Sequence, residues 1–326
     1  MSDDIVLDVR DLHTHFFLRR GVVKAVDGVS FSLRRGEVLG LVGESGCGKS
    51  VTALSLLRLL PKGAARTVQG EIELEGEDIL KKSDREMRQI RGRKIAMILQ
   101  DPQTSLNPVF SIGNQLRETI AKHFPGPGGT VTQRAIEALR NVRLAAPEQR
   151  MDQYPHQLSG GMKQRVVGAI AISCEPLVMI ADEPTTALDV TIQLQYLNLL
   201  KELQESSNMA ILFITHDFGV VAKMCDHVAV MYAGRIVERG PVRQVFDNPT
   251  HPYTQALIAS VPKMGDQRGR LHTIEGQPPE FSDLPVGCRF APRCAFVEDK
   301  CLSTYPTDFS VGNGHTSACW KLEKSE

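Results

Sequence analysis

A glycine-rich octapeptide between an apolar run and a leucine-rich stretch constrains this chain more than any other feature. Val38 to Gly43 (VLGLVG) reads as a buried strand, and Gly43-Glu44-Ser45-Gly46-Cys47-Gly48-Lys49-Ser50 follows as a turn opening onto a helix expected over 49–60. The octapeptide fits the phosphate-loop pattern G-x-x-x-x-G-K-[ST] in the strand-to-helix setting that pattern requires. Glycines let the backbone wrap close to an anion, so that successive N–H groups and the positive end of the helix converge on it. Lys49 adds a mobile charge for the β- and γ-phosphates, and the Ser50 hydroxyl is placed to ligate Mg²⁺.

Short apolar runs recur at Ile95 to Leu99, Leu177 to Ala181 and Ala210 to Ile214, separated by segments of helical period. Parallel strands joined by crossover helices, an α/β fold, are the expected result. Between Gln100 and Arg143 a proline- and glycine-rich patch and the amphipathic stretch RAIEALRNVRL predict a mostly helical insert. Val190, Leu194, Leu197, Leu200 and Leu203 lie at helical spacing and are expected to form the buried face of an amphipathic helix. After about Gly240 prolines multiply and the regular apolar runs stop, which places a boundary there.

Lys plus Arg balances Asp plus Glu at 38 each, so charge singles out neither nucleic acid nor an anionic lipid surface as the main partner. The longest apolar stretches fall well short of the roughly 18 residues a membrane span needs. The acidic start MSDDIVLDVR has no secretory-signal pattern, so a cytoplasmic setting is expected, where the seven cysteines stay reduced and clustering among them points to metal before disulfide.

Leu177-Val-Met-Ile-Ala-Asp182-Glu183 reads as a buried strand ending in two adjacent carboxylates, the layout of a Walker B element. Open α/β sheets bind ligands at such strand ends. Asp182 is suited to hold Mg²⁺ through water, and Glu183 to polarise the attacking water as a general base. Alone, the pair also fits a plain acidic turn; downstream of a phosphate loop it reads as a site. Just upstream, Ser159, Gly160 and Gly161 precede a helix expected from Met162 to Ser173, a second hydroxyl-plus-N–H anion site.

Leu158-Ser-Gly-Gly-Met-Lys-Gln-Arg165 resembles the signature sequence of the ATP-binding-cassette family, and the motifs fall in that family's order. The resemblance implies a P-loop NTPase cassette: a RecA-like core with an antiparallel β subdomain and a helical signature subdomain over about 101–173. It implies that Ser159, Gly160, Gly161 and Gln164 face the ATP of a second subunit, in a head-to-tail dimer with two nucleotides at its interface. Gln100 resembles the Q-loop glutamine that senses Mg²⁺ and water, His216 the switch histidine that contacts the γ-phosphate, and Ala187-Leu188-Asp189 the D-loop, although Asp189 also fits a helix N-cap. Phe16 or its neighbour Phe17 lies where the family stacks an aromatic on adenine; one of the two is expected in the core. Cys47 and Val51 replace residues the family often has as Ser and Thr, without removing a catalytic group.

Pro249-Thr-His-Pro-Tyr-Thr254 and Gln100-Asp-Pro-Gln-Thr-Ser-Leu-Asn-Pro108 are similar to the oligopeptide, dipeptide and nickel importer branch. That similarity implies a partner ATPase, with a heterodimer favoured over a homodimer, two membrane permease subunits, an extracytoplasmic substrate-binding protein, and a peripheral place on the cytoplasmic face of the membrane. It implies ATP-driven import of dipeptides or longer peptides, with nickel, glutathione or another small solute as the alternative cargo, and a soluble non-transport cassette ATPase as the alternative of another class. Residues 1–240 are expected to form the cassette and 241–326 a small irregular extension. There the four thiols of Cys288, Cys294, Cys301 and Cys319 suit a tetrahedral zinc or an iron–sulfur cluster, although their spacing, C-x5-C-x6-C-x17-C, matches neither the short zinc pairs nor the ferredoxin runs. The branch resemblance favours [4Fe–4S]. Cys174 and Cys225 are expected to be ordinary buried thiols.

Overall fold

Apolar runs without charge become strands closed to water on both faces. In the computed structural model Val38–Val42, Val178–Asp182 and Ala210–Thr215 are buried at every position, as helix-covered parallel strands are. The structure describes residues 4–19, 21–186, 188–261 and 273–325. The chain divides into two compact units, one of residues 1–7, 33–37 and 74–213, the other of residues 8–32, 38–73 and 214–326.

In the first unit Ile95–Ile98 runs parallel to Val178–Asp182, with Ile95 opposite Val178 and Ile98 opposite Ala181. The expected helical insert is present as Ile112–His123, Gly128–Asn141 and Gly160–Ile172, with short helices at Pro102–Ser105 and Pro147–Arg150. Ser111 starts the first of these by accepting the Asn114 N–H at 3.3 Å. Ile112, Leu116 and Ile120 form the buried stripe of that helix, and Val131, Ala135 and Leu139 that of the next, at the spacing of amphipathic helices.

The helix Val190–Ser207 corrects one expectation. Its buried face is Tyr196, Leu197, Leu199, Leu200 and Gln204, whereas Val190 and Leu194 are 82% and 47% exposed.

In the second unit the phosphate-loop strand Val38–Val42 runs parallel to His227–Tyr232, and Arg235–Pro241 turns back antiparallel on the latter. The strand His315–Ser317 then pairs with Arg235–Pro241, Glu238 lying opposite Ser317. A second sheet is hydrogen-bonded in the order Gly21–Arg34, Ile5–Leu18, Ala65–Leu74. The helix after the phosphate loop is Lys49–Leu56, shorter than the expected 49–60.

Residue 240 falls inside a strand. Among the described residues after it, Tyr253 and Phe290 pack into one buried cluster with Val42, Val230, Tyr232 and Val245. Ring centroids of Tyr232, Tyr253 and Phe290 lie 4.5 to 5.4 Å apart, in contacts favourable to aromatic pairs.

Candidate functional site: a phosphate loop and its carboxylate strand

Backbone crowding fixes two glycines of the loop. A Cβ at Gly43 would lie 2.1 Å from the Met231 carbonyl oxygen. At Gly48, which caps the helix with φ of +113°, it would lie 2.4 Å from that of Ala25. Only glycine combines that φ with that approach. Lys49 is buried, and its Nζ donates to the carbonyls of Gly43 at 2.7 Å and Glu44 at 2.9 Å. The ammonium is therefore held over the concave side of the loop. Ser45, Gly46 and Ser50 are exposed, so the hydroxyls and amides expected to meet phosphate and Mg²⁺ are accessible. Cys47 is buried, which pushes its thiol pKa up against the pull of Lys49, and its carbonyl accepts the Gly234 N–H at 2.8 Å. Val51 is half-buried in the first turn.

Two residues far along the chain grip this loop. Tyr253 Oη accepts the Glu44 N–H at 2.9 Å. Arg293 donates to both Glu44 carboxylate oxygens, at 2.7 and 3.0 Å. Tyr253 stands in the Pro249 to Thr254 stretch that carries the branch resemblance, whereas no local pattern flags Arg293.

In the first unit Asp182 is buried at the end of its strand, and Glu183 follows at φ of +45°. A non-glycine residue in that region costs on the order of 1 kcal/mol and signals a side chain aimed for a purpose. The Glu183 carboxylate accepts from Gln100 Nε2 at 2.8 Å and from Thr186 Oγ1 at 3.1 Å. The Q-loop glutamine and the proposed general base are thus in direct contact.

Ser159 caps the signature helix by accepting the Met162 N–H at 3.4 Å, and Gly160 lies exposed beside it. Gly161 is close-packed, since a Cβ there would meet Ile192 Cγ2 at 2.9 Å. Gln164 departs from expectation: it is 1% exposed and its amide faces the buried Tyr196 hydroxyl, so it is closed to a nucleotide outside the helix. Asp189 is the N-cap of Val190–Ser207, accepting from Thr191 and Ile192 N–H at 3.1 and 3.0 Å. Ala187 lies outside the described residues.

In the second unit His216 is exposed after the strand Ala210–Thr215. It sits beside Asp217, which caps Phe218–Met224 through the Gly219 and Val220 N–H groups. Neither candidate adenine-stacking ring is fully buried. Phe16 is half-buried; Phe17 is 38% exposed and carries the Arg66 guanidinium 4.5 Å from its centroid.

Cys288, Cys294, Cys301 and Cys319 line one cavity together with His251, Phe290 and Trp320. Backbone N–H groups of Phe290, Phe296 and Lys321 point at the sulfurs of Cys288, Cys294 and Cys319 respectively. Burial pushes the thiol of Cys288 up to about 11, and those of Cys294 and Cys319 up as well. Cys174 is buried as expected, Cys225 only partly.

His13, His15 and Asp27 present ligand atoms within 4.8 Å of one another. Asp27, however, accepts from Arg235 at 2.8 and 3.1 Å, from His13 at 3.0 Å and from Arg289. It is an ion-pair hub whose charge two guanidiniums already balance.

Comparison with known proteins agrees with this geometry. Residues 26–186 match the family model described as ABC transporter, and 237–301 that described as oligopeptide/dipeptide transporter, C-terminal region. The probable peptide ABC transporter ATP-binding protein y4tR of Sinorhizobium fredii is 51% identical, the alignment covering 98% of this chain and 95% of that protein. The dipeptide transport ATP-binding protein DppD of Bacillus subtilis is 47% identical over 97% and 94% of the two chains. Among solved structures, the dimeric post-hydrolysis ATP-binding cassette MJ0796 bound to ADP and Pi covers 73% of this chain and 99% of its own, with a TM-score of 0.65 and 26% identity. The phosphate loop, the carboxylate strand and the capped signature helix thus occur in a chain that belongs to the ATP-binding-cassette transporter family, in the branch with the oligopeptide/dipeptide C-terminal region.

Proposed function

We propose that the chain is the ATP-hydrolysing subunit of a peptide importer, in which ATP-driven closure and hydrolysis-driven opening of a cassette dimer move two membrane permease subunits. The observation that carries the catalytic part is the strained Glu183, whose carboxylate Gln100 and Thr186 orient at the end of the Asp182 strand. In this reading Lys49 and the loop amides hold the β- and γ-phosphates, Ser50 and Asp182 serve Mg²⁺, Glu183 polarises water, and His216 contacts the γ-phosphate. Ser159 and Gly160 present a capped helix N-terminus to the nucleotide of the partner cassette. Exposed Val190 and Leu194 beside Asp189 fit a face that a partner covers, and exposed Val109, Phe110 and Leu99 fit contact with a permease. No helix among the described residues is long and apolar enough to cross a membrane, in keeping with a peripheral subunit on the cytoplasmic side. The relatives named for peptide and dipeptide transport support a peptide cargo; delivery by an extracytoplasmic binding protein and pairing with a second, similar ATPase complete the proposal.

The four cysteines are assigned to a [4Fe–4S] cluster. A single zinc with bonds of about 2.3 Å draws its sulfurs to within about 3.8 Å of one another. Among the described residues no three of these cysteines come within 4.8 Å of one another, which favours the wider cluster. The three N–H groups aimed at sulfur are the donors such clusters use.

Co-expression with two permeases and a second ATPase tests the assembly. Recovery of a complex whose ATPase activity rises with peptide-loaded binding protein is expected; peptide-independent hydrolysis, with no permease retained, overturns the reading. Iron and acid-labile sulfide in the anaerobically purified chain, lost in Cys294→Ser, are expected; stoichiometric zinc instead overturns the cluster.

A further inference from the structure

We propose that the segment between Cys288 and Cys294 is a clamp on the phosphate loop, with Arg293 the positioning residue that holds Glu44 for nucleotide binding. The inference rests on reading 43–50 as the nucleotide site. It goes beyond that reading by placing control of the loop in residues of the C-terminal region.

Glu44 is fixed at both of its polar ends. Its backbone N–H donates to Tyr253 Oη and its carboxylate is forked by Arg293, from residues 209 and 249 positions later in the chain. The Arg293 side chain is 4% exposed and that of Glu44 26%. The guanidinium is itself anchored: Nη1 donates to Tyr232 Oη at 3.2 Å, Nε to the Glu275 carbonyl at 3.0 Å and Nη2 to that of Ile274 at 3.4 Å. A fork held at every nitrogen fixes its partner in position as well as in charge.

The same segment reaches the opposite flank of the loop. Arg289 donates to Asp27 and to the carbonyl of Ala233, the residue before Gly234, whose N–H is bonded to Cys47. Asp27 follows Ala25 by two residues, and the Ala25 carbonyl is the atom that crowds Gly48. Two arginines from one short segment thus bracket the start and the end of the loop.

Charge gives the clamp a second effect. Glu44 sits inside a loop whose task is to attract a polyanion, and a free carboxylate there repels the incoming phosphates. Pairing with Arg293 balances that charge. An arginine that merely fastened the C-terminal region to the cassette would leave nucleotide affinity untouched.

The test is titration of the full-length chain with the fluorescent analogue mant-ATP and Mg²⁺, alongside ATPase kinetics and thermal melting. Arg293→Met is expected to weaken mant-ATP binding about tenfold, roughly the effect of one lost coupling of this kind, with KM rising more than kcat falls. Adding Glu44→Gln to Arg293→Met removes the repelling charge and is expected to restore most of the affinity. Should Arg293→Met not fold, Arg293→Lys keeps the charge without the fork and is expected to bind about threefold more weakly. Wild-type affinity in the folded arginine variants, or a loss in Arg293→Met that Glu44→Gln does not reverse, overturns the clamp. Lys49→Ala separates the two readings: unchanged mant-ATP binding in that variant sinks the phosphate-loop assignment, whereas its loss beside an indifferent Arg293→Met sinks the clamp alone.

Discussion

Asp27 carries one charge and receives donors from Arg235, Arg289 and His13. Burial opposes its ionisation, but the hydrogen bond and charge of Arg235, with Arg289 and His13, outweigh that and bring it to about 2, from an ordinary 3.8. A depressed carboxyl pKa stabilises the fold fully above 3.8 and loses that contribution as pH falls toward 2. Asp27→Asn is therefore expected to cost about 3 kcal/mol at neutral pH, chiefly by stranding buried Arg289, and to flatten the acid limb between about pH 4 and 2; chemical denaturation across that range checks both. For Glu183→Gln, an amide cannot act as base, so hydrolysis is expected to fall at least about 100-fold while ATP binding survives, as single-turnover and filter-binding assays would show. The contrast between these positions explains what the sequence made legible. Lys49, Asp182 and Glu183 sit in contiguous motifs whose chemistry dictates residue type, so they could be read directly. Asp27 and Arg293 act through partners hundreds of residues away, and no spacing announces them; Tyr253 stands in a stretch that marks the branch, but its bond to Glu44 is not written there.

The helix Val190–Ser207 shows what periodicity can and cannot give. Its existence, its Asp189 cap and the buried Leu197 and Leu200 were readable, but the stripe was drawn too far toward the start of the helix: Val190 and Leu194 are exposed, while Tyr196 and Leu199 are buried. Asp189→Ala is expected to destabilise by about 1 kcal/mol, and Asp189→Asn, which keeps the capping oxygen, by only a few tenths. If Asp189 also acts across a dimer, Asn restores the melting temperature and leaves hydrolysis impaired. Where the signature helix meets Val190–Ser207, a Cβ at Gly168 would lie 2.9 Å from Tyr196 Oη. Gly168→Val is expected to overpack this contact at a cost of about 1–3 kcal/mol, measured by urea denaturation.

The sequence boundary near 240 suited a chain made of a cassette followed by an extension. Contacts instead assemble one unit from residues 8–32, 38–73 and 214–326, an interleaving that composition cannot reveal because each piece has an ordinary makeup. Dimerisation belongs to the molecule as a whole: the Glu183→Gln chain, alone or mixed with a second cassette ATPase, is expected to migrate as a dimer in ATP and as monomers in ADP on size exclusion, and ATP-independent migration counts against closure.

The bond from Arg293 back to Glu44 also has a consequence for birth. At roughly 5–20 residues per second, the ribosome makes the phosphate loop about 12–50 s before the arginine that grips it, 249 positions on. If the clamp acts as proposed, the nascent cassette passes through that interval with its loop ungripped, tight nucleotide capture waits for Arg293, and a chain terminated before it is poorly equipped to sequester ATP.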